Sequence, residues 1–207
     1  MIKNNRLLIT FRIFFGLLGL SAVVTEIVTL INRGIFVPAN FFSFFTIESN
    51  IFAAIVLIVS AFASARGVDA KRLALYRGAA TLYMVTTGIV FAVLLSGLEA
   101  NILTAVPWDN TVLHYIMPVV LIVDWLIDPP KIRIAFKKAL IWLIFPLVYV
   151  AYSLIRGHYV AWYPYPFLNP DTKGWLAVAI TSVCIAATVV ALIWLLLLAT
   201  KRSEKAS

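Results

Sequence analysis

Two short stretches of an otherwise apolar chain carry side chains that could do chemistry. The first opens a long apolar segment at Phe41 and holds four polar side chains within five residues: Thr46, Glu48, Ser49 and Asn50. The second is His114, at the start of another apolar segment. Polar groups at membrane depth are energetically costly, so they usually have a specific role. A hydroxyl in contact with an imidazole at this depth would supply the nucleophile and the base of an acyl-transfer site.

In such a site Thr46 would be the nucleophile and His114 the base. A hydroxyl is a weak nucleophile, and an adjacent base must remove its proton before it attacks an ester carbonyl. A third group often orients the base, and three side chains have a suitable depth: Asn50, Glu48 and Glu26. Asn50 is favoured among them by its helical face. Asp124 lies ten residues beyond His114, roughly 15 Å deeper along a helix axis, which argues against it as the partner.

A simpler interpretation of the same residues is hydrogen bonding between helices. The spacing i, i+3, i+4, i+7 puts four residues on one helical face: Thr46, Ser49, Asn50 and Ala53. This face would point into a bundle because polar groups avoid lipid, and Ser, Thr and Asn commonly bond between membrane helices. Glu48 lies about 200° around the helix from Thr46 and is not on this face. His114 could likewise be a structural histidine bonded to a neighbouring helix.

The composition indicates a membrane protein. The chain has 207 residues, of which 63% are hydrophobic and 13% are charged, whereas a soluble domain is about half apolar and a quarter charged. The formal net charge of +8 does not indicate a nucleic-acid partner, because the basic residues lie in short runs between apolar segments. The single cysteine, Cys184, excludes an intramolecular disulfide and a cysteine-rich metal site.

Six apolar segments are each close to the roughly 20 residues that span a bilayer. They run approximately over residues 7–31, 41–65, 76–98, 111–127, 135–155 and 174–199. Because a backbone in hydrocarbon must satisfy its own hydrogen bonds, each segment is expected to be helical. The sequence therefore predicts an all-α bundle of six transmembrane helices that forms a single domain over residues 1–207. Pro118 is expected to kink the fourth helix.

The distribution of Lys and Arg predicts the orientation of the bundle. Fourteen of the seventeen basic residues flank one set of segment ends, and three flank the other set: Arg33, Arg156 and Lys173. Since cytoplasmic flanks carry the excess of basic residues, both termini are expected in the cytoplasm. The first segment is too long for a signal peptide and is expected to stay as an uncleaved span. Thr46 and His114 would then lie roughly 5 to 8 Å below the outer boundary.

The last outward loop alternates aromatic residues and prolines over residues 162–170. It is either part of an interfacial aromatic belt, where Trp and Tyr prefer to lie, or a stiff loop that covers a site. In the second case Tyr163 and Tyr165 would contact the site. Glu26, in the first segment, has three open interpretations: it is protonated, it pairs with Arg33, or it belongs to the site.

Three motifs follow one another in the chain. Phe-Thr-x-x-Ser-Asn opens the second segment, Leu-His-Tyr-x-x-Pro opens the fourth with Asp-Trp-Leu further along, and Tyr-Pro-Tyr-Pro-Phe-Leu lies in the last outward loop. Together they resemble the androgen-induced membrane hydrolase family, which includes the androgen-induced protein and the androgen-dependent TFPI-regulating protein. The chain most resembles the bacterial branch, and the resemblance covers nearly the whole chain with the same six-span plan.

The resemblance implies a threonine-dependent lipid ester hydrolase that needs no metal and no organic cofactor. Carried over by motif, the nucleophile is Thr46 and the base is His114, with Tyr115 and Pro118 in the same motif as the histidine. In the family the substrates are fatty acid esters of hydroxy fatty acids. The expected partners are therefore a fatty-acyl ester substrate and membrane lipids, in a bacterial cytoplasmic membrane with the site toward the outer leaflet.

The alternative is a small membrane transporter or lipid-binding protein without catalysis. In that case four ionisable side chains would line a polar path: Glu26, Glu48, His114 and Asp124. These groups lie at scattered depths along their segments, and the chain has no repeat of broken helices, which favours the hydrolase.

Overall fold

The computed structural model describes residues 5–68, 70–96 and 106–204. Within these ranges the chain is helical and contains no strand. Six helices are long and apolar enough to cross a membrane: α1 (Asn5–Asn32), α2 (Phe45–Ala65), α3 (Lys71–Leu95), α4 (Pro107–Ile127), α5 (Phe136–Val160) and α6 (Trp175–Glu204). The predicted all-α membrane fold with six spans is confirmed. The predicted end of the third segment at Leu98 lies outside the described residues, as do Lys3 and Lys205.

The second, third and fourth helices form the centre of the bundle. Half or more of the apolar window of α2, α3 and α4 is buried, against less than a third for α1, α5 and α6. Helix α2 packs between α1 and α3, and α3 also packs against α4 and α6. Helix α5 joins this centre through aromatic contacts, since Phe145 stacks on Phe45 of α2 and lies against Tyr83 of α3. The polar start of α2 is thereby enclosed.

The second predicted segment is broken near its start. A short helix, Pro38–Phe41, ends before α2 begins at Phe45, and the residue that precedes α2 has an extended backbone. The Tyr149 hydroxyl of α5 donates to the Ser43 carbonyl at 2.9 Å, so a carbonyl inside the break is satisfied from another helix. The predicted helix start at residue 41 is therefore wrong, and Thr46 is the second residue of its helix.

Helix α4 changes its winding just before its proline. It is α-helical over Pro107–Thr111 and Met117–Ile127 and π-helical over Val112–Ile116. Pro118, which lacks a backbone donor and was expected to kink the helix, lies two residues after the end of this π-turn. Such single π-turns are rare and frequently lie at functional sites. This π-turn contains His114, which lies seven residues inside α4 and not three as predicted.

A network of charged side chains joins α1, α3 and α4 at the end of the bundle opposite Thr46. Arg12 pairs with Asp124 at 2.6 Å and with Asp128 at 2.7 Å, while Arg77 pairs with the same two carboxylates at 2.7 Å and 3.2 Å. Arg12, Arg77 and Asp124 are at most 3% exposed. The two aspartates were expected to pair with basic residues of the loops, and they pair with arginines of helices instead. Arg12 and Arg77 thus act in packing, and twelve of the fourteen basic residues remain to support the predicted orientation.

An apolar layer lies between this network and Thr46. Four side chains that are at most 1% exposed contribute to it: Leu57, Met84, Met117 and Leu121. Met117 and Leu121 fill the stretch of α4 that separates His114 from Asp124. The polar groups at the two ends of the bundle are therefore separated by packed hydrocarbon.

Candidate active site

Thr46 and His114 are in direct contact. The Thr46 Oγ1 lies 3.3 Å from the His114 Nε2, slightly beyond the roughly 2.6–3.2 Å expected of a nucleophile and its base. Their exposed fractions are 7% and 4%. The first turn of α2 supplies the hydroxyl and the π-turn of α4 supplies the imidazole, so two irregular places in the backbone meet at one point.

The imidazole of His114 is held in one tautomer by a backbone carbonyl. Its Nδ1 lies 3.1 Å from the carbonyl oxygen of Asn110, one turn earlier in α4. A carbonyl can only accept a hydrogen bond, so Nδ1 carries the proton and Nε2 of the neutral ring is an acceptor. The ring also stacks on Phe91, with centroids 4.1 Å apart and planes at 24°. Nε2 is thereby presented to the Thr46 hydroxyl as a base.

The group that orients His114 is therefore none of the three predicted side chains. Asn50 was favoured for this role, but its Nδ2 donates to the carbonyls of Thr46 and Leu113 at 2.8 Å and 3.2 Å. Ser49 lies beside it, donating to the Thr46 carbonyl and bonding the Thr87 hydroxyl at 3.0 Å. Both side chains are fully buried, as is Ala53, which confirms that this face of α2 points inward. Asn50 and Ser49 fix the backbone of Thr46 to α4 and α3.

Tyr165, from the loop between α5 and α6, completes the hydrogen bonding of Thr46. The Thr46 backbone N–H donates to the Tyr165 hydroxyl at 3.2 Å, which satisfies a first-turn donor that has no partner inside the helix. The same hydroxyl lies 3.2 Å from Thr46 Oγ1. Since its oxygen already accepts from the N–H, its own hydrogen is available to donate to Oγ1. A chain of donors then runs from Tyr165 through Thr46 to His114.

The phenol of Tyr165 is kept neutral by its surroundings. Burial raises its pKa above the ordinary value, and the nearby Glu48 carboxylate raises the pKa further, against the lowering effect of its hydrogen bonds with Thr46. An acid whose pKa is raised stays protonated to higher pH, so Tyr165 is kept as a donor to Thr46. Thr46 is at the N-terminus of α2, so the dipole of this helix, like the Tyr165 hydroxyl, interacts favourably with negative charge close to Thr46.

The loop that carries Tyr165 folds onto the bundle. Tyr165 and Leu168 are 5% and 1% exposed, and Phe44 meets both Trp162 and Tyr165 edge to face. Of the two interpretations of this loop, the covering role fits Tyr165. The Tyr163 ring packs against α5 at Gly157 and leaves no room there for a β-carbon.

Three further residues predicted to support the site lie around it. Tyr115 is half exposed and directs its ring edge toward Phe91. Pro118 packs against Gly88 of α3, which brings α3 and α4 close together. Glu48 is half-buried on the side of α2 away from the inward face.

Glu26 lies in contact with an acidic residue that was not predicted for the site. The carboxyl group of Asp109, in the first turn of α4, is fully buried beside that of Glu26, which is 5% exposed. Two adjacent buried carboxyls repel each other strongly when both are charged. Asp109 directly precedes Asn110, whose carbonyl orients His114, so the pair lies next to the turn that holds the imidazole.

A narrow apolar pocket ends at Thr46. Helices α2, α3, α5 and α6 and the last loop form its walls, which include Thr46, Val90, Tyr149, Tyr165, Leu168 and Ile185. The space, with its open mouth and the gaps between atoms, is about 570 Å³, of which only about 60 Å³ is open to the centre of a water-sized sphere. His114 does not line the pocket, so Thr46 stands between the imidazole and any molecule bound there.

Comparison with known proteins identifies no relative of this chain. No family model, no curated protein and no solved structure matches this chain. The resemblance of its motifs to the androgen-induced membrane hydrolases stays a prediction from the sequence.

Proposed function

We propose that the chain is an intramembrane hydrolase of lipid esters, with Thr46 as the nucleophile and His114 as the base. The observation that carries the proposal is the 3.3 Å contact of Thr46 Oγ1 with an imidazole nitrogen that must be an acceptor. A purely structural hydrogen bond between helices would not need this hydroxyl to lie at the end of an apolar pocket. A nucleophile, a base and an apolar pocket occur together at one place.

The reaction follows from these positions. His114 Nε2 takes the Thr46 proton as Oγ1 attacks the ester carbonyl, and a tetrahedral intermediate forms. His114 then returns the proton to the departing alcohol, which leaves an acyl group on Thr46. A water molecule next gives a proton to His114 and attacks the acyl group. The fatty acid leaves as Thr46 regains its proton.

The negative charge of the intermediate needs donors that are already in position. The Tyr165 hydroxyl accepts from the Thr46 N–H and lies 3.2 Å from the attacking oxygen, Thr46 Oγ1, so both donors lie next to the reacting atom, at the N-terminus of α2, where the helix dipole favours negative charge. We assign oxyanion stabilisation to this corner of the site.

The substrate class follows from the pocket and the resemblance taken together. The walls of the pocket are almost entirely apolar, which suits a fatty-acyl chain. The motifs resemble those of hydrolases that act on fatty acid esters of hydroxy fatty acids, and we propose this class or related acyl esters as substrates. The predicted orientation would place the site in the outer leaflet of the bacterial cytoplasmic membrane.

Transport is the less favoured function. A transporter needs a polar path between the two faces of the membrane, whereas packed side chains such as Leu57 and Met117 separate the two polar clusters. Asp124, a predicted member of such a path, is engaged by Arg12 and Arg77. These features favour a closed site over a conducting one.

Covalent labelling tests the proposed function. A fluorophosphonate probe should modify Thr46 in the purified protein, and peptide mass spectrometry should locate the adduct on that residue. The Thr46→Ala variant should not react, while a Thr10→Ala variant, at an exposed position of α1, should react as the natural protein does. Labelling that persists in Thr46→Ala would disprove the assignment of the nucleophile.

Removing the Tyr165 hydroxyl should slow the reaction without preventing it. We expect Tyr165→Phe to lower kcat for ester hydrolysis by about 10- to 100-fold, because one donor at the developing charge is lost. KM should change little, since the ring remains in the pocket wall. Steady-state kinetics in detergent, beside Tyr159→Phe as an exposed control, would measure this. An unchanged kcat would show that Tyr165 has no part in the chemistry.

A further inference from the structure

A second apolar groove opens on the side of the bundle between α3 and α6. Its walls include Ile89, Val93, Leu94, Ile180, Cys184 and Thr188, and its space, which is open along one side, is about 790 Å³. The groove is wider than the pocket at Thr46. Among the residues that the structure describes, none that lines the groove is charged.

The groove and the pocket at Thr46 are adjacent and share part of one wall. Thr86, Val90 and Ile185 line both spaces. Val90 is followed directly by the π-helical end of α3, Phe91–Leu95, so the backbone of α3 becomes irregular where the two spaces meet. A chain in the groove that passes between Val90 and Ile185 therefore enters the pocket that ends at Thr46.

The mouth of the groove faces the hydrocarbon of the bilayer. Both of its walls belong to membrane-spanning helices, and residues at its rim are widely exposed, with Val93 at 73% and Ile180 at 56%. From Ile180 to Thr188 it extends about 12 Å along α6. Water does not stably occupy an apolar space of this kind, so the matching occupant is a hydrocarbon chain.

We infer that the groove between α3 and α6 admits the acyl chain of the substrate sideways from the bilayer. The ester group reaches Thr46 through the junction at Val90 and Ile185, while the far part of the chain stays between the two helices. This inference rests on the proposed function and adds the route and the chain-binding site. It also explains why the loop that carries Tyr165 can cover the end of the bundle without closing the site to lipids.

Narrowing the junction tests the route. Ile185→Trp should lower kcat/KM for a hexadecanoyl ester by at least about tenfold, because the larger side chain obstructs the passage. Because Ile185 also lines the pocket at Thr46, turnover of an acetyl ester should fall too, but several-fold less than turnover of the hexadecanoyl ester, whose chain must pass the junction. Val183→Trp is the matched control, because Val183 is on the same helix but faces lipid, 68% exposed, outside both spaces. Equal kinetics of Ile185→Trp and the natural protein on the long ester would overturn the inference.

A binding measurement keeps the route testable even if no ester is hydrolysed. A hexadecanoic acid that carries a diazirine at its terminus should cross-link saturably to residues 180–188 of α6 in lipid nanodiscs, and Ile185→Trp should reduce this cross-linking several-fold. The exposed α5 surface at Leu147 and Val148 is the reference for contact with bulk lipid. If the probe cross-links saturably to α6 but no ester is hydrolysed, the proposed function is disproved, whereas the groove is still a binding site for acyl chains. Equal, non-saturable cross-linking at both surfaces would show that the groove is not a binding site.

Discussion

Replacing Thr46 with alanine should abolish hydrolysis of lipid esters, with kcat/KM lower by about 10³-fold or more. The change removes the atom that forms the acyl intermediate, and residual rate comes only from binding and charge stabilisation. The variant should still fold, because Asn50 and Ser49 hold the backbone carbonyl of Thr46 and not its side chain. Hydrolysis of a long-chain ester by purified protein, together with the thermal unfolding midpoint in detergent, measures both effects.

Thr46→Ser is the matched control for this loss. It keeps the hydroxyl that contacts His114 and removes only a methyl group, so activity should stay within about tenfold of the natural protein. If alanine and serine lower the rate equally, the effect is due to packing and the nucleophile must be sought elsewhere.

His114→Gln should reduce kcat by about 10²- to 10⁴-fold, the usual contribution of a positioned base. Glutamine can still form a hydrogen bond with Thr46 but cannot take up its proton. Its folding should be closer to natural than that of His114→Ala, which leaves space beside Phe91. A His114→Gln protein with full activity would contradict the role of His114 as base while leaving the Thr46 assignment intact.

The sequence was most informative about the inward face of α2. Helical periodicity placed Thr46, Ser49 and Asn50 together and left Glu48 aside, and their burial agrees. Such periodicity is local, so it survives errors in the ends of a helix. The similar depths of Thr46 and His114 in their segments also predicted contact between them. This prediction holds although the predicted starts of α2 and α4 were each misplaced by four residues, and the two errors have different causes.

The misplaced start of α2 has a tertiary cause. Residues 42–44 are hydrophobic apart from Ser43 and give no signal of a break, and the Ser43 carbonyl is held by the Tyr149 hydroxyl from α5. Only the packing of α5 against α2 makes that contact. Consequently the sequence could not show that Thr46 occupies a helix N-terminus, where a dipole and free backbone donors are available.

The orienting group of His114 was missed for a different reason. It is the backbone carbonyl of Asn110, and any residue at that position would supply one. Side-chain types therefore carry no information about it. The neighbouring pair of Asp109 and Glu26 was closer to being found, since Glu26 was already a candidate. Placing its partner required knowledge that α1 packs against the start of α4.

The second large effect concerns stability and the far end of the bundle. Asp124→Ala should lower the free energy of unfolding by about 3–5 kcal/mol, the cost of leaving a buried charge without its partner. Two arginines would then depend on Asp128, whose side chain is 27% exposed. Chemical unfolding in mixed micelles would measure the loss. Asp171→Ala, at an exposed carboxyl of the last loop, should change stability by no more than about 0.5 kcal/mol.

A triple replacement separates the effect of charge from that of packing. Substituting Arg12 and Arg77 with Met and Asp124 with Leu removes the buried charges together, and such replacements are often neutral or stabilising. The triple variant should therefore recover most of the stability that Asp124→Ala loses, and its kcat should be natural because the apolar layer separates it from Thr46. An Asp124→Ala protein as stable as the natural one would show that the network contributes nothing. A folded triple variant that cannot hydrolyse esters would instead show that the charged residues take part in the activity. Such a role is what the polar path predicted for a transporter would require.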